Sequence, residues 1–279
     1  MGVIRQRLRD ATRHLRRGIR QLTQPQITRE RIARDLGLLG IQPGQTVLVH
    51  SSLASLGNVL GGADEVIEGL IEAVGPAGTL VLPTHSWRAM EHGCRVFDVR
   101  NTPCCVGAIP ERFRNRPGVL RSLHPSHSIA ALGPRAAELV QGHESCDTPC
   151  GAGTPYEKIL ETGGSILLLG TDLRSLTVFH TLEALARVPY LMKLNADHFE
   201  IVDHNGASRR LAIHRHEAAI ARRFGEQEKF LAQNRVLRHG RVGRARSILV
   251  AGDRFLATLS QALAEDPSLL IPHPPDRRN

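Results

Sequence analysis

A histidine and a glutamate three residues apart are the two side chains of this sequence best suited to acid–base chemistry. His180 and Glu183 lie within residues 177–190, where apolar residues recur at helical spacing. Residues three apart share one face of a helix, so the carboxylate can fix the tautomer of the imidazole and stabilise the imidazolium. Imidazole titrates near neutral pH, and the pair therefore predicts a general base. A structural histidine beside an exposed acid is the alternative interpretation.

The segment before this pair predicts a buried strand. Residues 166–169 form a continuous apolar run that ends at Gly170, as in strands covered on both faces of a sheet. Polar residues 171–175 then supply a turn. Ligands of open α/β sheets bind beyond the carboxyl ends of strands, so the position favours a functional role for His180 and Glu183.

The rest of the chain predicts strands and helices arranged around this segment. We expect an α/β fold with a central mixed sheet flanked by helices and a small C-terminal region of a β-hairpin plus a helix. Asn205-Gly206 marks the hairpin turn. We divide the chain into a basic N-terminal helix over 1–27 and a single domain over 28–279, with a long loop at 88–108. Strands are predicted at 46–50, 79–83, 129–132, 166–169, 199–202, 209–213 and 247–250, and helices at 28–39, 63–74, 109–114, 136–140, 156–160, from 177 onward, 217–230 and 255–264.

Composition is that of a globular protein with an excess of positive charge. Of its 279 residues, 41% are hydrophobic and 4% are aromatic, and the net charge is +9. Arginine runs at 5–20 and 235–246 carry much of this charge, either as solvated faces or to attract anions such as ligand phosphates. No zinc-finger, RNP or helix-turn-helix signature accompanies them. We therefore expect neither nucleic acid nor a membrane as partner, and nucleic-acid binding stays a third hypothesis.

The cysteines indicate a reduced protein. Five cysteines do not form an even extracellular framework, and no signal peptide or membrane-spanning apolar stretch occurs, so we expect a cytoplasmic location. No metal is expected. Zinc remains an alternative because His143, Cys146 and Cys150, with Cys104 or Cys105, offer suitable side chains, although their spacing is not a standard zinc motif.

An ordered set of motifs resembles the aminoglycoside 3-N-acetyltransferase family. The set covers about residues 28–275 and is specific as a whole, although each motif alone is weak. In this sequence the motifs are Val49-His50-Ser51-Ser52-Leu53, Leu60-Gly61-Gly62, Gly75-Pro76 with Gly78-Thr79-Leu80, residues 113–117, His124-Pro125 with Ala130-Ala131-Leu132-Gly133, residues 151–155, Leu167-Leu168-Leu169-Gly170 and residues 177–183.

The resemblance implies transfer of an acetyl group from acetyl-CoA to a primary amine of an aminoglycoside-type antibiotic or amino sugar. The acid–base histidine of the family falls at His180, with Glu183 beside it, so His180 would take a proton from the amine as it attacks the thioester directly. Hydroxyls of Ser175 or Thr177 would stabilise the oxyanion. A small-molecule amine is the expected partner, and a homodimer is left open.

The resemblance also implies contacts to the coenzyme. Hydroxyls would contact the pantetheine arm or the phosphates of CoA, with ordinary turn hydroxyls as the alternative. Arg121 and Arg114 lie in the matching region, where a guanidinium suits a phosphate; a surface charge is the alternative. The expected hydroxyl contacts are Ser51, Ser52, Ser128, Thr154, Ser175 and Thr177.

The segment after the predicted strand 79–83 departs from the family pattern. Family enzymes that act on aminoglycosides offer an acidic pocket to a polycationic sugar. Here the segment reads Ser86-Trp87-Arg88-Ala89-Met90-Glu91-His92 and the chain is basic, which disfavours a polycation. Two alternatives therefore stay open: an N-acyltransferase for a biosynthetic amine that is not an aminoglycoside, and a catalytically silent ligand-binding member of the fold.

Overall fold

The protein is an α/β structure, which a computed structural model describes over residues 25–272. The predicted basic N-terminal helix lies outside these residues, apart from 25–27, of which Gln26 and Ile27 form a short strand. The strands of the described part are β1 (Gln26–Ile27), β2 (Thr46–Ser51), β3 (Asn58–Val59), β4 (Thr79–Pro83), β5 (Val96–Asp98), β6 (Leu120–Arg121), β7 (Ile129–Leu132), β8 (Ser165–Leu169), β9 (Asp197–Val202), β10 (Ser208–Ile213), β11 (Leu237–Val242) and β12 (Ala245–Ala251).

Helices cover the sheet and connect its strands. Within residues 25–272, none of them is long and apolar enough to cross a lipid bilayer. Short 3-10 helices lie at His143–Ser145, Leu173–Ser175 and Phe224–Gln227. The α-helices are α1 (Arg29–Leu39), α2 (Leu53–Leu56), α3 (Gly62–Val74), α4 (Trp87–Glu91), α5 (Ala108–Arg114), α6 (Ala136–Val140), α7 (Pro155–Glu161), α8 (Val178–Leu185), α9 (Glu228–Gln233) and α10 (Gly252–Glu265).

A seven-stranded mixed sheet forms the centre, as predicted. Its strand order is β11-β12-β8-β2-β4-β7-β6. Strands β8, β2 and β4 are parallel, whereas β7 runs antiparallel to β4. The carboxyl ends of β8, β2 and β4 therefore lie at one edge, where β7 begins; we call this the carboxyl edge. The predicted hairpin β9–β10 joins β5 in a separate three-stranded sheet.

Burial on both faces explains why β8 reads as a continuous apolar run. Ile166 and Leu168 pack into one hydrophobic cluster, and Leu167 and Leu169 pack into another. Successive strand side chains point to opposite faces, so the two clusters lie on opposite sides of the sheet. All four side chains are completely buried. The strand that leads to His180 is thus held in place by packing from both sides.

Several segments differ from the sequence prediction, which also gave no element for α2, β3 and β6. The helix predicted over 217–230 is wrong in its first half, because residues 217–223 run irregularly and only Glu228–Gln233 is α-helical. The predicted loop 88–108 contains most of α4 and all of β5. Strand β11 lies in the second arginine run and was not predicted. It is an edge strand, and its charged residues obscure the apolar alternation that identifies a strand.

We expect Leu168→Ala to lower the free energy of unfolding by about 2–5 kcal/mol, because it empties space in a fully buried strand. Leu38→Ala is the matched control, since Leu38 on α1 is 72% exposed and a surface change costs roughly 0.5 kcal/mol or less. Urea unfolding of both variants measures the difference. Equal losses in the two variants would contradict the described core.

Candidate active site

His180 and Glu183 face each other at the start of α8, just beyond the carboxyl edge. His180 Nδ1 lies 2.6 Å from Glu183 Oε2. An ionised carboxylate only accepts hydrogen bonds, so with Glu183 ionised Nδ1 carries the proton and donates it, which leaves Nε2 with its lone pair. The Glu183 side chain is 0% exposed and the His180 side chain is 20% exposed. The buried acid therefore orients a base whose ring still reaches solvent.

Arg222 completes the surroundings of this carboxylate. Its Nε lies 2.8 Å from Glu183 Oε1, an ion pair whose arginine side chain is 11% exposed. The guanidinium also lies over the ring of Tyr190, 5.2 Å from its centroid. Each oxygen of Glu183 thus has one partner, the imidazole on one side and the guanidinium on the other. A buried carboxylate needs such partners because an unpaired buried charge is strongly destabilising.

Burial and Arg222 set the charge state of the pair. Burial lowers the pKa of His180, and the positive charge of Arg222 lowers it further. Burial raises the pKa of Glu183, whereas the positive charge of Arg222 opposes that shift. The imidazole is therefore held in its neutral form, which is the form that accepts a proton.

Four histidine rings form a continuous row at the carboxyl edge, which we call the histidine row. The ring centroids of His180 and His216 are 4.3 Å apart, and those of His216 and His127 are 4.8 Å apart. His85 follows at 4.7 Å from His127. His85 leaves β4 and His127 precedes β7, so the sheet topology brings them together. Tyr156 on α7 holds His85 through a 2.7 Å hydrogen bond to its Nε2.

A first cleft of about 480 Å³ lies beside the row and contains three of the predicted coenzyme residues. Ser51, Ser175 and Thr177 line it, together with Trp87 and His50. The Ser51 hydroxyl and His50 Nε2 are buried and lack a hydrogen-bond partner among the described residues. Such atoms are costly unless a ligand or water satisfies them, so this cleft fits a polar ligand.

A second cleft of about 570 Å³ opens over His180. His127 and His216 form part of its wall, and it meets the first cleft at Trp87, which lines both. The charged residues that line it are Arg95, Lys193, Arg215, Arg222, Glu91 and Glu217. Four cationic side chains thus face two carboxylates.

Arg121 and Arg114 are not placed to meet a coenzyme. Arg121 is 3% exposed, and it donates to the carbonyl oxygens of Val99, Thr102 and Thr84. Arg114 forms an ion pair with Glu111 at 2.7 Å, and its side chain is 6% exposed. Both guanidinium groups are held by partners within the protein, and neither lines the first cleft.

Three of the predicted hydroxyl contacts also serve the fold. Ser128 donates to the carbonyl oxygen of Thr84 at 2.9 Å, and Thr154 donates to that of Gly151 at 2.7 Å. Both residues are fully buried. The hydroxyl of Ser52 lies 2.9 Å from that of Ser55, and Ser52 is not among the residues that line the first cleft. These three hydroxyls therefore match the alternative interpretation, in which they satisfy neighbouring groups of turns and loops.

The cysteine and histidine set considered for zinc is not brought together. Both ring nitrogens of His143 are occupied, by the hydroxyl of Ser122 and the carbonyl oxygen of Pro149, each at 2.9 Å. The thiol of Cys146 donates to the carbonyl oxygen of Gly142. Among the described residues, the cluster able to hold a metal ion consists instead of Cys150 with His127 and His216.

Sequence reasoning missed Arg222 and His216 altogether. Arg222 lies in the segment predicted as a helix over 217–230, and His216 lies just before it. The chain runs irregularly there, from a bridge between His216 and Met192 to Arg222 beside Glu183. The available signal was indirect: a buried glutamate on a helix requires a cation from elsewhere in the chain. The positions of His85 and His127 gave a clearer indication, because His85 follows one predicted strand and His127 precedes another.

Comparison with known proteins identifies relatives of this arrangement. A family model described as aminoglycoside 3-N-acetyltransferase matches residues 48–264. The chain is 38% identical over 181 residues to aminoglycoside N(3)-acetyltransferase VII of Streptomyces paromomycinus, covering 58% of this chain and 62% of the relative. Aminoglycoside N(3)-acetyltransferase IX of Micromonospora chalcea is 36% identical, with 58% and 63% covered. The matched segment thus spans a little under two-thirds of these relatives.

Solved structures of related enzymes share the fold over more of the chain. A mutant of the aminoglycoside acetyltransferase AAC(3)-IVa in complex with a gentamicin has a TM-score of 0.78 and 29% identity, and the match covers 91% of this chain and 94% of that chain. AAC-IIIb, a binary complex with CoASH, has a TM-score of 0.74 and 27% identity, covering 86% and 97%. The family model matches most of the chain, including His180, Glu183 and Arg222, and this chain therefore belongs to the aminoglycoside 3-N-acetyltransferase family.

Proposed function

We propose that this protein is an acetyl-CoA-dependent N-acetyltransferase that acetylates a primary amine of an aminoglycoside, with His180 as the general base. One observation carries the proposal: the neutral imidazole of His180 is held by the buried Glu183 while its ring lines the second cleft. Membership of the family supports the reaction class. The related structures that contain CoASH and gentamicin support the donor and the acceptor.

The geometry suits direct transfer without a covalent enzyme intermediate. The acceptor amine must lose a proton to attack, and His180 Nε2 takes that proton as the new C–N bond forms at the thioester carbon. Glu183 stabilises the imidazolium through the 2.6 Å contact at Nδ1. The C–S bond then breaks, and the proton passes from His180 to the departing thiolate, which leaves as CoASH.

The first cleft is the proposed place of the acetyl-CoA arm. Its unpartnered Ser51 hydroxyl and the side chains of Ser175 and Thr177 offer hydrogen bonds to the amides of pantetheine or to the oxyanion. Thr177 lies three residues before His180, so a thioester there reaches the second cleft. A third cleft of about 540 Å³, lined by Arg241 and Arg246, shares Thr171 with the first. These arginines suit the coenzyme phosphates.

The charges of the second cleft favour a second candidate acceptor. Cationic side chains outnumber carboxylates in its lining, although Arg222 is paired with Glu183, and Arg215 and Arg95 with Asp197. A positive potential repels a polycation more than it repels a molecule with one amine. The second candidate is therefore N-acylation of an amino sugar or biosynthetic amine that carries a single amine.

Location and assembly remain proposals. All five cysteines are free thiols, which suits the reducing cytoplasm where we place the enzyme. A homodimer stays a prediction.

We expect His180→Ala to lower kcat by about 10²- to 10⁴-fold, because the amine loses its proton acceptor, while acetyl-CoA still raises the melting temperature. Release of CoASH with gentamicin as acceptor measures the rate. His198→Ala is the control, since His198 is exposed on β9. A rate in His180→Ala within a few-fold of the unchanged protein would remove His180 from the role of base.

We expect Arg222→Met to lower activity and to move the acidic limb of the pH–rate profile to higher pH. Arg222 lowers the pKa of Glu183, so its removal raises that pKa, and Glu183 accepts from Nδ1–H only when ionised. Arg222→Lys should restore part of the rate. Arg223→Met is the control because Arg223 pairs with Glu226 instead. A lowered rate with an unshifted profile would assign Arg222 to folding alone.

A comparison of acceptors separates the two candidate substrates. We expect kcat/KM for gentamicin to exceed that for glucosamine by at least about tenfold, which corresponds to about 1.4 kcal/mol of transition-state stabilisation. Addition of salt tests the electrostatic contribution. If the second cleft repels a polycation, salt screens that repulsion and lowers the KM for gentamicin; if the cleft attracts it, salt raises that KM. A preference for glucosamine, with a gentamicin KM that falls with salt, would favour the single-amine acceptor.

A further inference from the structure

We propose that His127, Cys150 and His216 bind one zinc ion in the wall of the second cleft. Their ligand atoms all lie within 4.8 Å of one another. The three residues come from separate segments: His127 lies before β7, Cys150 lies before α7, and His216 lies beside its bridge with Met192. The fold, rather than a sequence motif, brings them together.

Each of the three side chains has a free ligand atom. His216 Nε2 is buried and has no hydrogen-bond partner among the described residues. His127 Nδ1 lies 2.8 Å from the Ser126 hydroxyl, which leaves Nε2 for a metal and supplies a partner that fixes the ring. Cys150 is a free, completely buried thiol. A buried imidazole nitrogen without a partner is costly, and a metal ion would satisfy it.

Ligand chemistry and spacing select zinc. Two imidazoles and a thiolate suit zinc, whose bonds to nitrogen and sulfur are about 2.0–2.3 Å long. Tetrahedral ligands at those bond lengths are about 3.3–3.8 Å apart, so side-chain movements of roughly 1 Å would close the cluster around an ion. Zinc sites with three protein ligands keep the fourth position open. Because His127 and His216 line the second cleft, we place the open position on that side.

Binding requires the thiolate. Burial raises the pKa of the Cys150 thiol, and the negative charge of Glu183 adds to the effect, so the thiol is protonated when no metal is bound. As the zinc–sulfur bond forms, the thiol proton leaves to solvent. The inference does not depend on the acetyl-transfer reaction, because metal content and coordination are measured without turnover.

The test is a zinc titration of the full-length protein after chelator treatment, against a chromogenic zinc chelator. We expect one zinc ion per chain with submicromolar affinity. Replacement of zinc by Co²⁺ should give the visible bands of a tetrahedral site and a thiolate charge-transfer band. Cys150→Ser and His216→Gln should each weaken zinc binding by at least about 100-fold, since even partners outside the ligand set change affinity by about 10- to 100-fold.

Cys146→Ser is the matched control, because Cys146 lies in the same loop and its thiol donates to Gly142 instead. We expect its zinc affinity to be unchanged. Circular dichroism shows whether each variant is folded. If Cys150→Ser does not fold, His216→Gln still tests the site, because His216 is only half-buried. Zinc binding of the unchanged protein weaker than micromolar, or a folded His216→Gln variant with the affinity of the control, would overturn the proposal.

Discussion

The buried carboxylate of Glu183 is the constraint on which the site depends. One of its oxygens accepts from His180 Nδ1, and the other forms an ion pair with Arg222. The side chain has no exposed surface, so loss of either partner leaves a charge in a medium that solvates it poorly. The orientation of the His180 imidazole depends on this arrangement.

The topology of the sheet brings further polar side chains beside this pair. Three parallel strands end at the carboxyl edge, and an antiparallel neighbour begins there, so side chains distant in sequence form the histidine row. Strand β8 is packed on both faces, and α8 follows it in the chain and begins beside this edge. The two clefts then meet at Trp87. A thioester in one cleft and an amine in the other are thereby proposed to meet beside His180.

Local patterns predicted much of this structure. Apolar runs located β2, β4 and β8, and helical spacing placed His180 and Glu183 one turn apart, because both patterns report burial within a short segment. Arg222 and His216 escaped prediction because their positions depend on a buried partner far away in the chain. Arg121 is the opposite case, a charged residue whose partners lie within the protein. Its charge suggested a phosphate, but the fold uses all three nitrogens of its guanidinium to hold loops.

The tautomer of His180 tests the central claim most directly. ¹⁵N–¹H spectra of the histidine side chains in the intact protein, with His180→Ala used to assign the resonance, report which ring nitrogen carries the proton. At neutral pH the account predicts a neutral His180 ring protonated at Nδ1, with Nε2 unprotonated. A proton resident on Nε2 would contradict it, because that nitrogen would have no lone pair with which to accept the proton of an amine.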